Sequence, residues 1–183
     1  MPPTITPPRV APAKIAPGKI APGKPGKRGG SWRTALVVDP DADNRKRVIR
    51  LLREAAGEPA PEAEPVAQAG SRLSIHEAED GNAAWALVEA VKPDLIIAEV
   101  LLEGLSGLAL LRRLREKYGK QAPVVFFVTD MSNEVDRYWA LRNGAGAYII
   151  KPYEDEFLRK RSAKLFDEGD EGGLELDSWP LDI

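Results

Sequence analysis

Between Thr34 and Phe166, short uninterrupted apolar runs alternate with stretches in which apolar residues recur every third or fourth position. Ala35-Leu36-Val37-Val38 is apolar, partly β-branched and halted by Asp39-Pro40, which predicts a buried strand leaving a sheet. Asp43 is expected to cap a helix reaching about Ala56, with Val48, Leu51 and Leu52 on one face and Gly57 as the stop. The proline-rich stretch at 57–71 reads as a loop. Leu73 to Ala78 alternates weakly as a second strand, and Asn82 to Val91 has helical spacing through Ala83, Leu87 and Val91, broken at Pro93. Leu95 to Ala98 is a third strand and Leu105 to Tyr118 a helix. Val124 to Val128, Ser132 to Asn143 and Ala147 to Ile150 repeat the strand, helix, strand order, and a last helix starts near Glu154.

Strands that are apolar throughout must be covered on both faces, and right-handed crossovers between parallel strands place helices on each side. Five such units predict an α/β, flavodoxin-like, doubly wound parallel sheet of five strands. Ligands of such sheets gather beyond the carboxyl ends of the strands, at the switch point of strand order. The residues following each strand are therefore where chemistry is expected.

Composition narrows the possibilities. The 183 residues carry 26 Lys and Arg against 28 Asp and Glu, no cysteine and one histidine. Disulfide frameworks, thiolate metal sites and Cys nucleophiles are excluded, and a Ser/His/Asp triad would rest wholly on His76, which reads as an ordinary half-buried histidine. No apolar run is long enough to cross a membrane and prolines interrupt the N-terminal stretch, so neither a membrane partner nor secretion is expected and the cytoplasm is the default location. Charge is polarised: residues 1–33 are basic without acids, and 167–183 are acidic without bases. The repeat APAKI, APGKI, APGKP favours a solvated, disordered basic tail at 1–33, and a second, acidic tail is expected at 167–183, flanking a domain at 34–166.

After the first strand stands Asp39, after the third Glu99, after the fourth Thr129 and Asp130, and after the fifth Lys151-Pro152. With ALVVDPDADNR, EAEDGNAAWALVEAVKPDLIIAEV, FFVTD and GAGAYIIKPY in this order, the segment from about Thr34 to Phe166 resembles the receiver domain of bacterial two-component response regulators. The resemblance implies two acids after strand one and a phospho-accepting Asp after strand three that hold Mg²⁺ while phosphate arrives from a histidine kinase. It also implies a Thr or Ser and a Lys that bind the phosphoryl oxygens. A hard cation neutralises charge on the transferred group, and the ammonium pairs with the product dianion.

Three positions depart from that pattern. Glu99 occupies the acceptor position, and its extra methylene carries the carboxylate roughly 1.5 Å outward, which is large against the tolerance of in-line attack. Pro40 replaces the second acid, so an oxygen ligand is missing; Asp41 is one residue away. Asp130 stands where a small residue usually admits phosphate, and its carboxylate would repel the dianion. Asp39, Thr129, Tyr148, Lys151 and Pro152 are retained. The expectation is a pseudo-receiver in which Glu99 pairs permanently with Lys151, with no catalytic residue, no cofactor and no metal, Asp39 and Glu99 being the ligands if any ion binds.

On the fourth helix Val135 with Ala140 or Leu141 is expected to face the core, leaving Tyr138 or Trp139 outward. Trp139 is a candidate contact for a signalling partner on the face built from the fourth helix, fifth strand and fifth helix. Trp85 is expected to pack on the sheet or a neighbouring helix. The basic stretch at 9–33 fits nucleic acid, an acidic partner, a plain tether or folding back on the acidic tail, whose Leu174, Leu176, Trp179 and Leu181 form a possible docking motif. The leading expectation is a stand-alone signalling module that is not an enzyme and acts by protein contact. A working phospho-receiver with Mg²⁺, and a nucleic-acid-associated protein led by the basic tail, are the alternatives.

Overall fold

The computed structural model describes residues 34–58 and 73–167; the expectations for both tails and for most of the 57–71 loop fall outside these residues. Strands β1 (Thr34–Val38), β2 (Ser74–Ala78), β3 (Leu95–Ala98), β4 (Val124–Thr129) and β5 (Ala147–Ile150) form one parallel sheet in the order β2-β1-β3-β4-β5. Helices α1 (Ala42–Ala55), α2 (Gly81–Val91), α3 (Gly107–Tyr118), α4 (Glu134–Arg142) and α5 (Asp155–Asp167) connect or follow them.

Alternation within the apolar strands divides the core in two. Leu36, Val38, Ile96, Ala98, Val125 and Phe127 point to one face, where α2, α3 and α4 supply Trp85, Val88, Leu110, Leu111, Leu114 and Ala140. Ala35, Val37, Leu95, Ile97, Val124, Phe126 and Val128 point to the other, against Val48, Leu51 and Leu52 of α1 and Leu158 and Leu165 of α5. Each fully buried Leu or Phe contributes roughly 1.5–3 kcal/mol of transfer free energy, which is why β3 and β4 are buried on both faces, whereas the edge strand β2 exposes Ser74 and Glu77. Trp85 packs into the first layer, with the Arg113 guanidinium 4.1 Å above its ring. His76 is half-buried on β2, with Nε2 3.3 Å from the Ser74 hydroxyl.

Helix starts differ from the sequence expectation for one recurring reason, the position of the cap. Asp41, not Asp43, caps α1: its Oδ1 accepts from the N–H groups of Asp43 (2.7 Å) and Asn44 (3.1 Å). Asp80 caps α2, Ser106 caps α3 and Asn133 caps α4, each with a side-chain oxygen accepting a first-turn N–H. An Asx or Ser side chain at the cap position satisfies a donor that the helix cannot, so α3 and α4 begin two residues later than their apolar pattern suggests.

The larger correction concerns α4. Val135 and Leu141 do not face the core; they are 58% and 37% exposed, and only Ala140 of this helix is buried. Tyr138 and Trp139 are both exposed, at 56% and 52%. A small inward residue lets α4 lie close to the sheet, and its large apolar side chains then have only the outer side available.

Candidate functional site

Strand register gathers the candidate residues. Val38 pairs with Ala98, so Asp39 and Glu99 leave adjacent central strands side by side. Thr129 pairs with Ile150, and the N–H of Lys151 donates to the Thr129 carbonyl at 2.8 Å. All four lie over the carboxyl edge of the sheet where the order reverses between β1 and β3, the place where open α/β sheets bind ligands.

Lys151 is the centre of the site. Its Nζ donates to Asp39 Oδ2 at 2.9 Å and to Glu99 Oε2 at 2.9 Å, and Asp130 Oδ2 is 3.8 Å away. Asp39 and Glu99 are 7% and 6% exposed, whereas the Asp130 side chain is 77% exposed and acts only as an outer charge. Burial by itself would lower the Lys151 ammonium, but the Glu99 and Asp39 carboxylates hold it above its ordinary range.

The second oxygen of Glu99 is equally committed. Oε1 accepts from the N–H groups of Val100 (2.7 Å) and Leu101 (3.2 Å) and from the Thr129 hydroxyl. Burial alone would raise the Glu99 carboxyl, yet the Thr129 hydroxyl, the Lys151 ammonium and the Leu101 N–H together keep it below the usual Glu value. It is therefore a buried carboxylate with four donors, an arrangement that favours the charged form. Gly107 keeps α3 tight against this loop: a Cβ there would lie 2.4 Å from the Glu99 carbonyl oxygen.

Thr129 and Tyr148 are linked through one residue. Thr129 Oγ1 accepts the Met131 N–H at 3.1 Å while donating to Glu99, and the Tyr148 hydroxyl donates to the Met131 carbonyl at 3.1 Å. The Tyr148 ring is buried, 6.0 Å from Phe127, and burial, reinforced by the Asp136 and Glu99 carboxylates, pushes its hydroxyl pKa up. Pro152 follows Lys151 through a cis peptide, and Tyr153 beyond it is held to α1 by Arg47, which donates to its carbonyl at 2.9 Å and to Asp155 at 2.7 Å.

Several functional contacts were invisible in the sequence. Arg45, on α1, is buried and donates to the carbonyls of Asp39 (2.7 Å) and Pro40 (3.2 Å) while pairing with Glu77 of β2 and Glu79 just beyond it. It clamps the turn that carries Asp39. No motif announces it; only the alternation of Glu77 and Glu79 beside β1 was available as a signal. The backbone N–H groups of Val100, Leu101 and Met131 likewise carry no residue signature.

The fold family implies Mg²⁺, and the residues present do not fit it. Asp39 Oδ1 accepts the Asp41 N–H at 2.8 Å and Oδ2 is on Lys151, Pro40 offers no side-chain oxygen, and the Glu99 oxygens serve four donor contacts. Asp41 does not supply the missing ligand: the Asn44 and Asp43 N–H groups hold its carboxyl below the ordinary range as the α1 cap. Among the described residues no three His, Asp or Glu side chains are arranged to hold a metal ion. Mg²⁺ demands near-octahedral oxygen donors, and here the carboxylates converge on an ammonium instead.

Comparison with known proteins agrees with this architecture. The chain is 34% identical over 86 residues to Protein PilH of Pseudomonas aeruginosa, covering 47% of this chain and 71% of PilH. It is 32% identical over 149 residues to the DNA-binding response regulator MtrA of Mycobacterium leprae, covering 81% of this chain and 58% of MtrA. It spans 39% of the nitrate/nitrite response regulator NarL of Escherichia coli, at 38% identity. The chemotaxis response regulator CheY4 of Vibrio cholerae superposes with a TM-score of 0.58 at 19% identity, covering 74% of this chain and 99% of CheY4; at that identity the likeness speaks for the fold. Among the described residues no helix is long and apolar enough to cross a membrane. A family model described as response regulator receiver domain matches residues 63–163, more than half of the 183. With the sheet order, the strand-end Asp, Thr and Lys and the relatives in agreement, the chain belongs to the response regulator receiver domain family.

Proposed function

We propose that this receiver is a pseudo-receiver: a cytoplasmic signalling module that acts through protein contacts and is not switched by aspartyl phosphorylation. One observation carries the reading. The Thr129 hydroxyl and the Lys151 ammonium, to which the family resemblance assigns the phosphoryl oxygens, are both bonded to the carboxylate of Glu99. A group that arrives only after phosphorylation elsewhere is replaced here by a side chain that is always present.

The chemistry supports the same conclusion. A nucleophile must approach an in-line phosphorus with a free lone pair, and each Glu99 oxygen is tied to donors, with Lys151 bridging to Asp39. Asp130 adds negative charge at the mouth, which disfavours an incoming dianion. The reading assigns no turnover to Asp39 or Glu99 and no cofactor to the site. Thr129 and Tyr148, both facing the pocket side through Met131, hold one arrangement, and the partner face formed by α4, β5 and α5 would then be presented without a phosphorylation step.

Incubation of the full chain with a small phosphodonor and excess Mg²⁺, followed by intact-mass spectrometry, tests this. The expected result is an unchanged mass. A phosphoryl adduct that is lost on acyl-phosphate hydrolysis would instead establish the working phospho-receiver, the reading favoured by the likeness to MtrA and NarL. Binding of nucleic acid through residues 9–33 is a separate proposal, tested by a salt-dependent affinity that disappears when those lysines and arginines are neutralised.

A further inference from the structure

Helix α4 turns its apolar stripe to solvent. Val135, Tyr138 and Trp139, at i, i+3 and i+4, are 58%, 56% and 52% exposed, and the two rings meet edge-on at 6.1 Å. Arg142, one turn further, donates to the Tyr138 hydroxyl at 2.8 Å. Three such side chains leave on the order of 300 Å² of apolar surface in water. That is well below the roughly 800 Å² per partner of a stable interface between separate proteins, so the patch alone suits a short segment delivered by a tether.

The chain contains such a segment. Residues 168–183 carry six acids and no base, and they interleave Leu174, Leu176, Trp179 and Leu181 with Glu175, Asp177 and Asp182. The two acids of α4, Glu134 and Asp136, sit in its first turn with Arg137 beside them, 4.0 Å from Glu134, while Arg142 alone is basic in the last turn. Behind that end is Arg115, whose Nη2 donates to the Gly144 carbonyl and whose buried Nε and Nη1 have no hydrogen-bond partner among the described residues. Arg142, bonded to the Tyr138 hydroxyl, thus sets a positive charge beside the aromatic pair, where the segment is negative.

Topology places the tether correctly. Helix α4 runs toward the amino end of β5 on one face of the sheet, and α5 returns from the carboxyl end of β5 to that same amino-end edge on the other face, so Arg142 and Asp167 lie at one end of the domain, flanking the edge strand β5. The seven residues from Glu168 to Leu174 span at most roughly 25 Å. A domain of this size has a radius of gyration of roughly 14 Å, so Leu174 and the residues after it can reach α4.

We propose that residues 174–183 dock on the outer face of α4 of their own chain, their apolar side chains on Val135, Tyr138 and Trp139 and their acids beside Arg137 and Arg142. The inference stands on the α4 surface and is read independently of the pocket chemistry.

The chain has no cysteine, so Ser178→Cys gives a single attachment point for a nitroxide in the full-length protein. The expected result is loss of most of the amide signal intensity for residues 135–142, unchanged on dilution, weakened by added salt and restored by Trp179→Asp. Intact dispersion of the remaining amides verifies the fold of each variant. Uniform intensities along α4 would overturn the proposal. Loss that appears only when spin-labelled chains are mixed with isotope-labelled, nitroxide-free ones would overturn it in favour of a second copy.

Discussion

Replacing Lys151 by Met keeps the length and apolar stem of the side chain and removes its charge. Asp39 and Glu99, both buried, then lie side by side with no cation between them, and the exposed Asp130 adds a third negative charge. Removing one partner of a buried, hydrogen-bonded ion pair costs about 3–5 kcal/mol, because the remaining charge keeps its desolvation penalty. Two stranded carboxylates place Lys151→Met at the upper part of that range at pH 7. Glu99→Gln should cost less, about 1–2 kcal/mol, since an amide oxygen still accepts from Val100, Leu101 and Thr129 while Lys151 retains Asp39. The double variant should cost less than the sum of the two, with a coupling of about 1–3 kcal/mol.

The pH dependence has a definite sign. In the native chain the Glu99 carboxyl is held below its ordinary value despite burial, so its stabilising contribution is full above the unfolded pKa of about 4.3 and is lost as pH falls through the folded pKa. Without Lys151, burial and the neighbouring Asp39 charge raise the folded pKa of Glu99, and stability is then present at low pH and lost as pH rises. The destabilisation by Lys151→Met should therefore be full at pH 7 and shrink below about pH 5. Urea unfolding of the full chain at a series of pH values, followed by circular dichroism, reads both effects. A cost below about 1 kcal/mol at pH 7, or one that is the same at pH 7 and pH 4.5, would refute the reasoning.

Arg45→Met should destabilise by about 2–3 kcal/mol in the same assay, because the Asp39 carbonyl loses a charge-assisted donor inside the fold. Trp139→Ala should change stability by less than about 0.5 kcal/mol, whereas Ala140→Leu, which forces a larger side chain against the sheet, should cost about 1–3 kcal/mol. The combined change Pro40→Asp and Glu99→Asp shortens the seated carboxylate and returns an oxygen ligand, so calorimetric titration should detect Mg²⁺ binding by the variant and none by the native chain; equal binding by both would refute the expectation.

Much of this was legible before any coordinates. Continuous apolar strands alternating with amphipathic helices dictate a doubly wound sheet, and the residue following each strand lands at the switch point because parallel register leaves it nowhere else. Counting strand ends thus puts Asp39, Glu99, Thr129 and Lys151 on one edge, and the resemblance to receiver domains, together with the need of a partly buried ammonium for a carboxylate, implies the approach of Lys151 to Glu99. What the sequence could not disclose was the use of backbone groups. The Glu99 oxygen sits on the N–H groups of Val100 and Leu101, which any residue would offer, and Arg45 reaches two carbonyls that no motif marks. Asp41 illustrates a local competition: its carboxylate was available in principle to a cation, but capping α1 satisfies two N–H groups at once.

On helix α4, Ala140 faces the core and Trp139 the solvent as expected, but Val135 turns outward for a different reason. Its apolar spacing is that of a core-facing stripe, and hydrophobic period alone does not state which side of a helix meets the sheet. Ala140 decided it, because a small residue allows close approach while Tyr138 and Trp139 would hold the helix away.

The central claim is that an ionised Glu99 carboxylate permanently fills the seat over the sheet. Following the side-chain carboxyl carbon of Glu99 by carbon-13 NMR through a pH titration, with and without excess Mg²⁺, tests it most directly. The account predicts a midpoint below the ordinary Glu value of about 4.3 that Mg²⁺ does not move. A midpoint at or above that value, or a resonance that shifts when Mg²⁺ is added at neutral pH, would contradict it.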